Sequence, residues 1–211
     1  MRSRFSGQIA GMGSEEGTRV DIVRWAYSPI GSFADVMIER PDGHRVLLAP
    51  TTQVATFVAQ TYTFDEVRVH EVAVRDAGAG WCVVAGELRL TLTIGRRAAL
   101  GWLLHAIPRP VATSATWATL IDPIARVALR GVRTRGVARP GRREWYAATD
   151  LVHITSLSAS FDGQELGALA AVDPPCRFGF SSTPRIPSVT SVVTTVKARP
   201  DEPGGRSWRG R

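Results

Sequence analysis

The sequence predicts a mainly β (α+β) protein: an antiparallel β-barrel or sandwich with two or three short covering helices. Three observations lead there. Residues 86–94 alternate Leu88, Leu90, Leu92 and Ile94 with Glu87, Arg89, Thr91 and Thr93, the two-residue period of a strand with one wet face. Successive strand-like runs meet through short turns rather than helices, which argues for antiparallel sheets. The chain has 211 residues, 44% hydrophobic and 21% charged, enough to bury a sizeable core and unlike a collagenous, coiled-coil or disordered chain.

Taken in order, residues 5–10 and 19–27 read as strands. Residues 33–40 and 44–49 flank Pro41-Asp42-Gly43, whose Asp and Gly supply the local hydrogen bond and positive φ of a hairpin turn. In residues 51–60, Val54, Phe57 and Val58 stand at helical spacing behind Pro50 and two Thr capping candidates. Residues 66–75 alternate charge with Val and Ala. Asp76-Ala77-Gly78-Ala79-Gly80 is expected to join them to residues 86–94 as one long hairpin. Residues 96–107 are apolar on nearly every side and stop at Pro108, the pattern of a buried helix.

Asp122, Pro123 and Gly131 punctuate a further short helix as N-cap, first turn and C-terminal glycine. Strands return at residues 132–138 and 143–161, around a turn at 139–142. Asp162-Gly163 turns the chain into residues 165–172, and residues 177–180 and 189–196 are the last strands. The Asp-Gly hairpins at 36–50 and 157–172 share turn chemistry and little else, so duplication is not inferred. Residues 1–197 are expected to form one domain, and the Pro-, Gly- and Arg-rich residues 198–211 a disordered basic tail.

What is missing excludes several functions. Of the 26 basic residues 25 are Arg, and the one Lys is Lys197, between Val196 and Ala198. A P-loop, a protein-kinase strand lysine and a Schiff-base lysine in a dry pocket are all thereby disfavoured. Cys82 and Cys176 form no Cys-x-x-Cys pair, and His44, His70, His105 and His153 are scattered. No metal and no cofactor is expected, and the two thiols are expected to be reduced and buried. Residues 1–8 carry two arginines without an apolar segment behind them, and no apolar run approaches membrane-spanning length. A soluble protein of the cytoplasm is the expectation.

Gly7, Gly11 and Gly13 fit the Gly-x-x-x-Gly-x-Gly loop of short-chain dehydrogenases. Two glutamates and then a strand follow, where a helix N-terminus would have to hold pyrophosphate, so a glycine-rich turn is expected instead. Arg126, Arg130, Arg133, Arg135, Arg139, Arg142 and Arg143 concentrate +7 in 18 residues, which equals the net charge of the chain. With Trp145 and Tyr146 following, Arg133, Arg135, Arg142 and Arg143 are anion-binding candidates. Nucleic acid or an acidic partner is the alternative use of residues 126–143. Strand alternation spreads these arginines over two faces, which disfavours a nucleic-acid stripe. A membrane-surface role for the apolar helix at 96–107 is disfavoured too, since a uniformly apolar helix prefers burial.

Along residues 143–161, Trp145, Ala147, Thr149, Leu151, His153 and Leu157 share one face, while Glu144, Tyr146 and Asp150 share the other. Residues 177–184 mix aromatics, hydroxyls and a glycine, as cavity linings do. The function these features favour is non-catalytic binding of a small hydrophobic or amphipathic ligand in an apolar pocket. Arg143, Trp145, Tyr146 and His153 are the candidate ligand-binding residues. Whether the protein is an enzyme is left open by the sequence. The enzymatic alternative assembles a site around Tyr146, Asp150 and His153, with Ser181.

Overall fold

The computed structural model describes residues 2–108, 111, 135–139, 142–179 and 181–198. Strands β1 (Arg2–Ser14), β2 (Arg19–Tyr27), β3 (Phe33–Glu39) and β4 (Arg45–Ala49) pair antiparallel in succession. Helix α1 (Thr52–Ala59) carries the chain to β5 (Glu66–Val69), which lies parallel to β4. An antiparallel meander follows through β6 (Val72–Ala77), β7 (Gly80–Ala85) and β8 (Leu88–Arg97). After α2 (Ala99–Ala106), β9 (Arg135–Arg139) forms a hairpin with the 20-residue β10 (Arg142–Phe161). The short β11 (Gln164–Glu165) and β12 (Leu169–Ala170) precede β13 (Ser188–Ala198), which inserts between β1 and β10. The main path through the sheet is β5-β4-β3-β2-β1-β13-β10-β8-β7-β6.

The fold is therefore mostly β, with two helices among the described residues and one curled, barrel-like sheet. Its curl follows from connectivity. The two ends of the path, β5 and β6, are consecutive in the chain and separated by His70 and Glu71 alone. Two residues span roughly 7 Å, so a ten-strand sheet must bend until its edges meet. Ion pairs hold that seam. Arg24 on β2 grips Asp76 on β6 through its two terminal guanidinium nitrogens at 2.8 and 3.3 Å. Asp162, in the turn after β10, accepts from Arg68 of β5 at 2.6 and 2.9 Å and from Arg40 at 2.5 Å.

The concave face encloses the main core, to which Met12, Ile22, Ile38, Leu48, Leu88 and Leu92 contribute fully buried side chains. A second cluster packs on the opposite face of β2–β4, where Val54, Ala55 and Val58 of α1 meet Leu47, Met37 and Phe178. Strands β2, β3 and β4 are thus covered on both faces, including positions that a one-sided sheet would leave wet. Glu39 is fully buried there. Its Oε1 accepts from Arg19 Nη2 at 3.0 Å and Arg177 Nε at 2.9 Å, and its Oε2 from the Arg177 backbone N–H at 2.8 Å.

Several elements are where the sequence put them. The Pro41-Asp42-Gly43 turn closes with Asp42 Oδ1 accepting from the His44 N–H at 2.9 Å, and Thr51 caps α1 by accepting from Val54 N–H at 3.2 Å. Others differ. The expected hairpin of residues 66–94 is three strands of a meander plus β5, because the chain switches sheet edges at His70-Glu71. The pairing of β4 with β5 across α1 is parallel, a connection the short-turn pattern did not predict. Helix α2 is shorter than expected and not enclosed: Gly101 and Leu104 are buried, whereas Trp102 and Leu103 are 61% and 62% exposed. Gly101 sits so close to the Leu151 carbonyl of β10 that one face alone can dock. Of the strand expected at 177–180, the described residues 177–179 are not part of a strand. The helix expected at 122–130 and the tail at 198–211 lie outside the described residues, Ala198 apart.

Glu39 carries the most demanding buried contact of this layout. Glu39→Ala leaves the Arg19 guanidinium buried beside no carboxylate, and urea unfolding is expected to show a loss of about 3–5 kcal/mol. An unchanged midpoint would show that Arg19 finds water or another partner.

Candidate functional site

The face of β2 and β3 that carries Glu39 also carries Asp21 and Asp35. The register pairs Asp21 with Met37 and Val23 with Asp35, which makes the two aspartates diagonal neighbours, roughly 7–8 Å apart between α-carbons. Both line a cavity of about 160 Å³. One wall is aromatic: Phe5 stacks tilted against Trp25 at 5.4 Å and against Phe57 of α1 at 5.3 Å. Leu100 and Leu104 of α2 close another side, and Val192 and Thr194 of β13 form part of the floor. Above β2 and β3 run Phe178 and residues 181–184. The hydroxyls of Tyr62, after α1, and Tyr146, on β10, hydrogen-bond to each other and tie the two sides together.

The carboxyls differ in their surroundings. Asp21 accepts a 2.9 Å hydrogen bond from Thr183 Oγ1. Burial pushes its pKa up to about 7, opposed by the Thr183 bond and reinforced by the nearby charge of Glu39. Asp35 is 2% exposed, and no hydrogen bond or ion pair engages its carboxyl among the described residues. Burial alone pushes its pKa up to about 8. Burial likewise pushes the Cys176 thiol up, and its backbone N–H donates to Ser182 Oγ at 3.0 Å. A carboxyl in this state can donate a hydrogen bond to a ligand oxygen, or ionise and neutralise a ligand cation.

Thr183 reaches Asp21 because Gly11 has no side chain. A Cβ at Gly11 would lie 2.2–2.6 Å from three side-chain atoms of Thr183. Gly7, Gly11 and Gly13 are therefore not a turn between strands. They lie within β1, on its cavity side, and admit the Trp25 ring, Thr183 and the Ala171 carbonyl to the backbone. A glycine in a strand that permits close approach is the physical meaning of this spacing.

The sequence-selected residues separate. Tyr146 and Ser181 line the cavity; Trp145 and His153 do not, and Asp150 does not. Asp150 is held by Arg97 through Nε at 2.9 Å and Nη2 at 3.0 Å, and it accepts from the Leu151 N–H at 2.8 Å. His153 stands opposite Ser188 on β13, with its Nδ1 buried and unpartnered. A register irregularity between Ala148 and Asp150 moves β10 by one position. Tyr146, Ala148 and Leu151 consequently share the cavity side, an arrangement strict alternation forbids. Arg135 and Arg139 lie on β9 and Arg142 and Arg143 on β10, their backbones paired in the expected hairpin. Arg126, Arg130 and Arg133 fall outside the described residues. Among the described residues no group of His, Cys, Asp and Glu is arranged to hold a metal ion, and no helix is long and apolar enough to cross a membrane.

Asp21, Asp35, Thr183 and Trp25 were not singled out as site residues by the sequence. In Arg19–Tyr27 and Phe33–Glu39 the aspartates occupy the polar phase of the alternation, which ordinarily faces water. The one available signal is that Val23 and Met37 share that phase with them.

No family model matches the chain, and no curated protein does. Among solved structures, an acetoacetate decarboxylase from Legionella pneumophila aligns over 93% of this chain and 82% of its own, at 6% identity and a TM-score of 0.42. A second acetoacetate decarboxylase structure aligns over 94% and 85%, at 10% identity and a TM-score of 0.35. A protein assigned as AttH from Nitrosomonas europaea aligns over 96% of this chain and 54% of its own, at 11% identity and a TM-score of 0.30.

Two outcomes test the site. Gly11→Ala is expected to expel Thr183 and cost about 1–3 kcal/mol in urea unfolding, and retention of full stability would contradict the close packing. The carboxyls also set a pH dependence. Unfolded, Asp35 ionises near 3.8; folded, it keeps its proton to about 8. Its stabilising contribution is complete below pH 4 and is lost as pH rises to 8. Asp35→Asn should therefore gain on the wild type by about 1.4 kcal/mol per pH unit across that window and level off above it. A pH-independent difference would show that Asp35 is solvated.

Proposed function

We propose that the protein binds a small hydrophobic or amphipathic molecule in the cavity between α1, α2 and the β2–β3 face. One observation supports this above the others: a space of about 160 Å³ whose lining surface is mainly aromatic and aliphatic, with polar atoms a minor part of it. Ligand pockets share that make-up, an apolar wall for affinity and sparse polar groups for orientation. A dry apolar cavity of about 150 Å³ accepts benzene, so the space suits one aromatic ring with a short substituent.

The walls come from eight separate parts of the chain, which no local packing need requires. Tyr146, among the residues selected from sequence, belongs to the pocket in this proposal. Arg143, Trp145 and His153 are not needed for it.

Ala148 lines the cavity from β10. Ala148→Trp should fill it, abolish the shifts that toluene or indole induces in amide NMR signals of residues around Val23 and Met37, and leave the fold intact. Equal shifts in both proteins, or none in the wild type, would defeat the proposal.

A further inference from the structure

We propose that the molecule this cavity takes carries a cationic nitrogen, which the Asp35 carboxylate neutralises while the aromatic wall packs on its apolar part. The inference rests on the pocket reading above and adds the charge of the ligand to it.

The starting point is what Asp35 lacks. A carboxyl that is 2% exposed is ordinarily met by a cation or by donors. Asp21 has the Thr183 hydroxyl, and Glu39 has Arg19 and the Arg177 backbone and side chain. Asp35, on the same face of β3 as Glu39, has neither and lines the cavity. Removing a carboxyl from water without compensation costs stability. Asn or Ala at this place would spare that cost, so the site is better suited to a ligand than to the fold. The surrounding rings are the second observation. Phe5, Trp25 and Phe57 form a mutually packed aromatic wall, and such faces attract ammonium groups through their quadrupoles. An aromatic wall with one uncompensated carboxylate discriminates for a cation and against an anion.

The groups that face Asp35 from the packed elements set its response to pH. Asp21 is on β2, the Arg19–Glu39 pair lies farther along the same face, and Tyr62 and Tyr146 lie on the cavity's other sides. Cys176 sits in the covering segment, close enough to Asp21 and Glu39 for their charges to act on it. Arg19 and Arg177 are committed to Glu39, which leaves Asp35 without a cation of its own. With no cation beside it, burial raises the pKa of Asp35 to about 8, so below that pH the carboxyl is largely protonated. Binding a cation requires its ionisation, and one proton passes to the solvent for each ligand bound.

Phenyltrimethylammonium, whose charge does not titrate, and tert-butylbenzene, its uncharged isostere, separate the possibilities. Titrated into the wild-type protein and Asp35→Asn, with binding followed by amide NMR shifts and by calorimetry in two buffers of different ionisation enthalpy, the cation should bind the wild type more tightly than the isostere. Its affinity should rise about tenfold per unit from pH 6 to pH 7.5, with up to one proton released. Asp35→Asn should lose at least tenfold in affinity for the cation and retain the isostere. Preference of the wild type for the isostere, or equal cation affinity in both proteins, would overturn the inference while leaving an apolar pocket standing. Failure of both probes to bind the wild type would overturn the pocket with it. If Asp35→Asn fails to fold, Asp35→Ala takes its place in the same titration and the ratio of cation to isostere affinity decides the matter, because Asp21 titrates in the same pH range.

Discussion

Everything in this molecule is arranged around a sheet whose two edge strands are separated by two residues of chain. A ten-strand path with that link cannot lie flat. It curls, and the curl gives the sheet a concave interior large enough for Met12, Ile22, Leu48, Leu88 and their neighbours to exclude water. Insertion of β13 between β1 and β10 locks the remainder, since it makes strands from opposite ends of the chain neighbours. The seam itself is joined by charge: Arg24 with Asp76, and Asp162 with Arg40 and Arg68.

Once the concave face is filled, the other face of β2–β4 becomes the place where specific chemistry is assembled. Helix α1 and the covering segment around Phe178 bury it, so charged residues in the polar phase of two strands lose their solvent. The molecule resolves this differently at three positions a few residues apart. Glu39 is fully paired, Asp21 is partly satisfied by a hydroxyl that Gly11 lets through, and Asp35 faces the cavity without a partner among the described residues. Strain of this kind, kept where a substitution could remove it, is a common sign of a site.

Much of the layout was legible in the residues. The 88–94 alternation, the Pro41-Asp42-Gly43 and Asp162-Gly163 turns and the Thr51 cap each follow from local rules that act within a few residues. Tyr146 could be selected because Arg and aromatic residues cluster around it. Asp21 and Asp35 could not, because nothing in Val20-Asp21-Ile22 or Ala34-Asp35-Val36 reports that a second layer will cover the polar phase. The faces of β10 were misread for a similar reason. Irregularities between Ala148 and Asp150, and again between Val152 and Ser156, change the side on which the following residues lie, and they leave no residue-level mark.

By itself, then, the sequence determined the class of fold, the Asp-Gly turns and the first helix. These depend on residue type and short-range spacing. Tertiary structure alone decided that the sheet curls until its edge strands approach, that glycines within β1 act as docking surfaces rather than as a turn, and that two aspartates lose their water. Those outcomes depend on which distant segments come to lie on each face of a strand, and burial by a distant segment is what turns an ordinary surface aspartate into the defining group of a pocket.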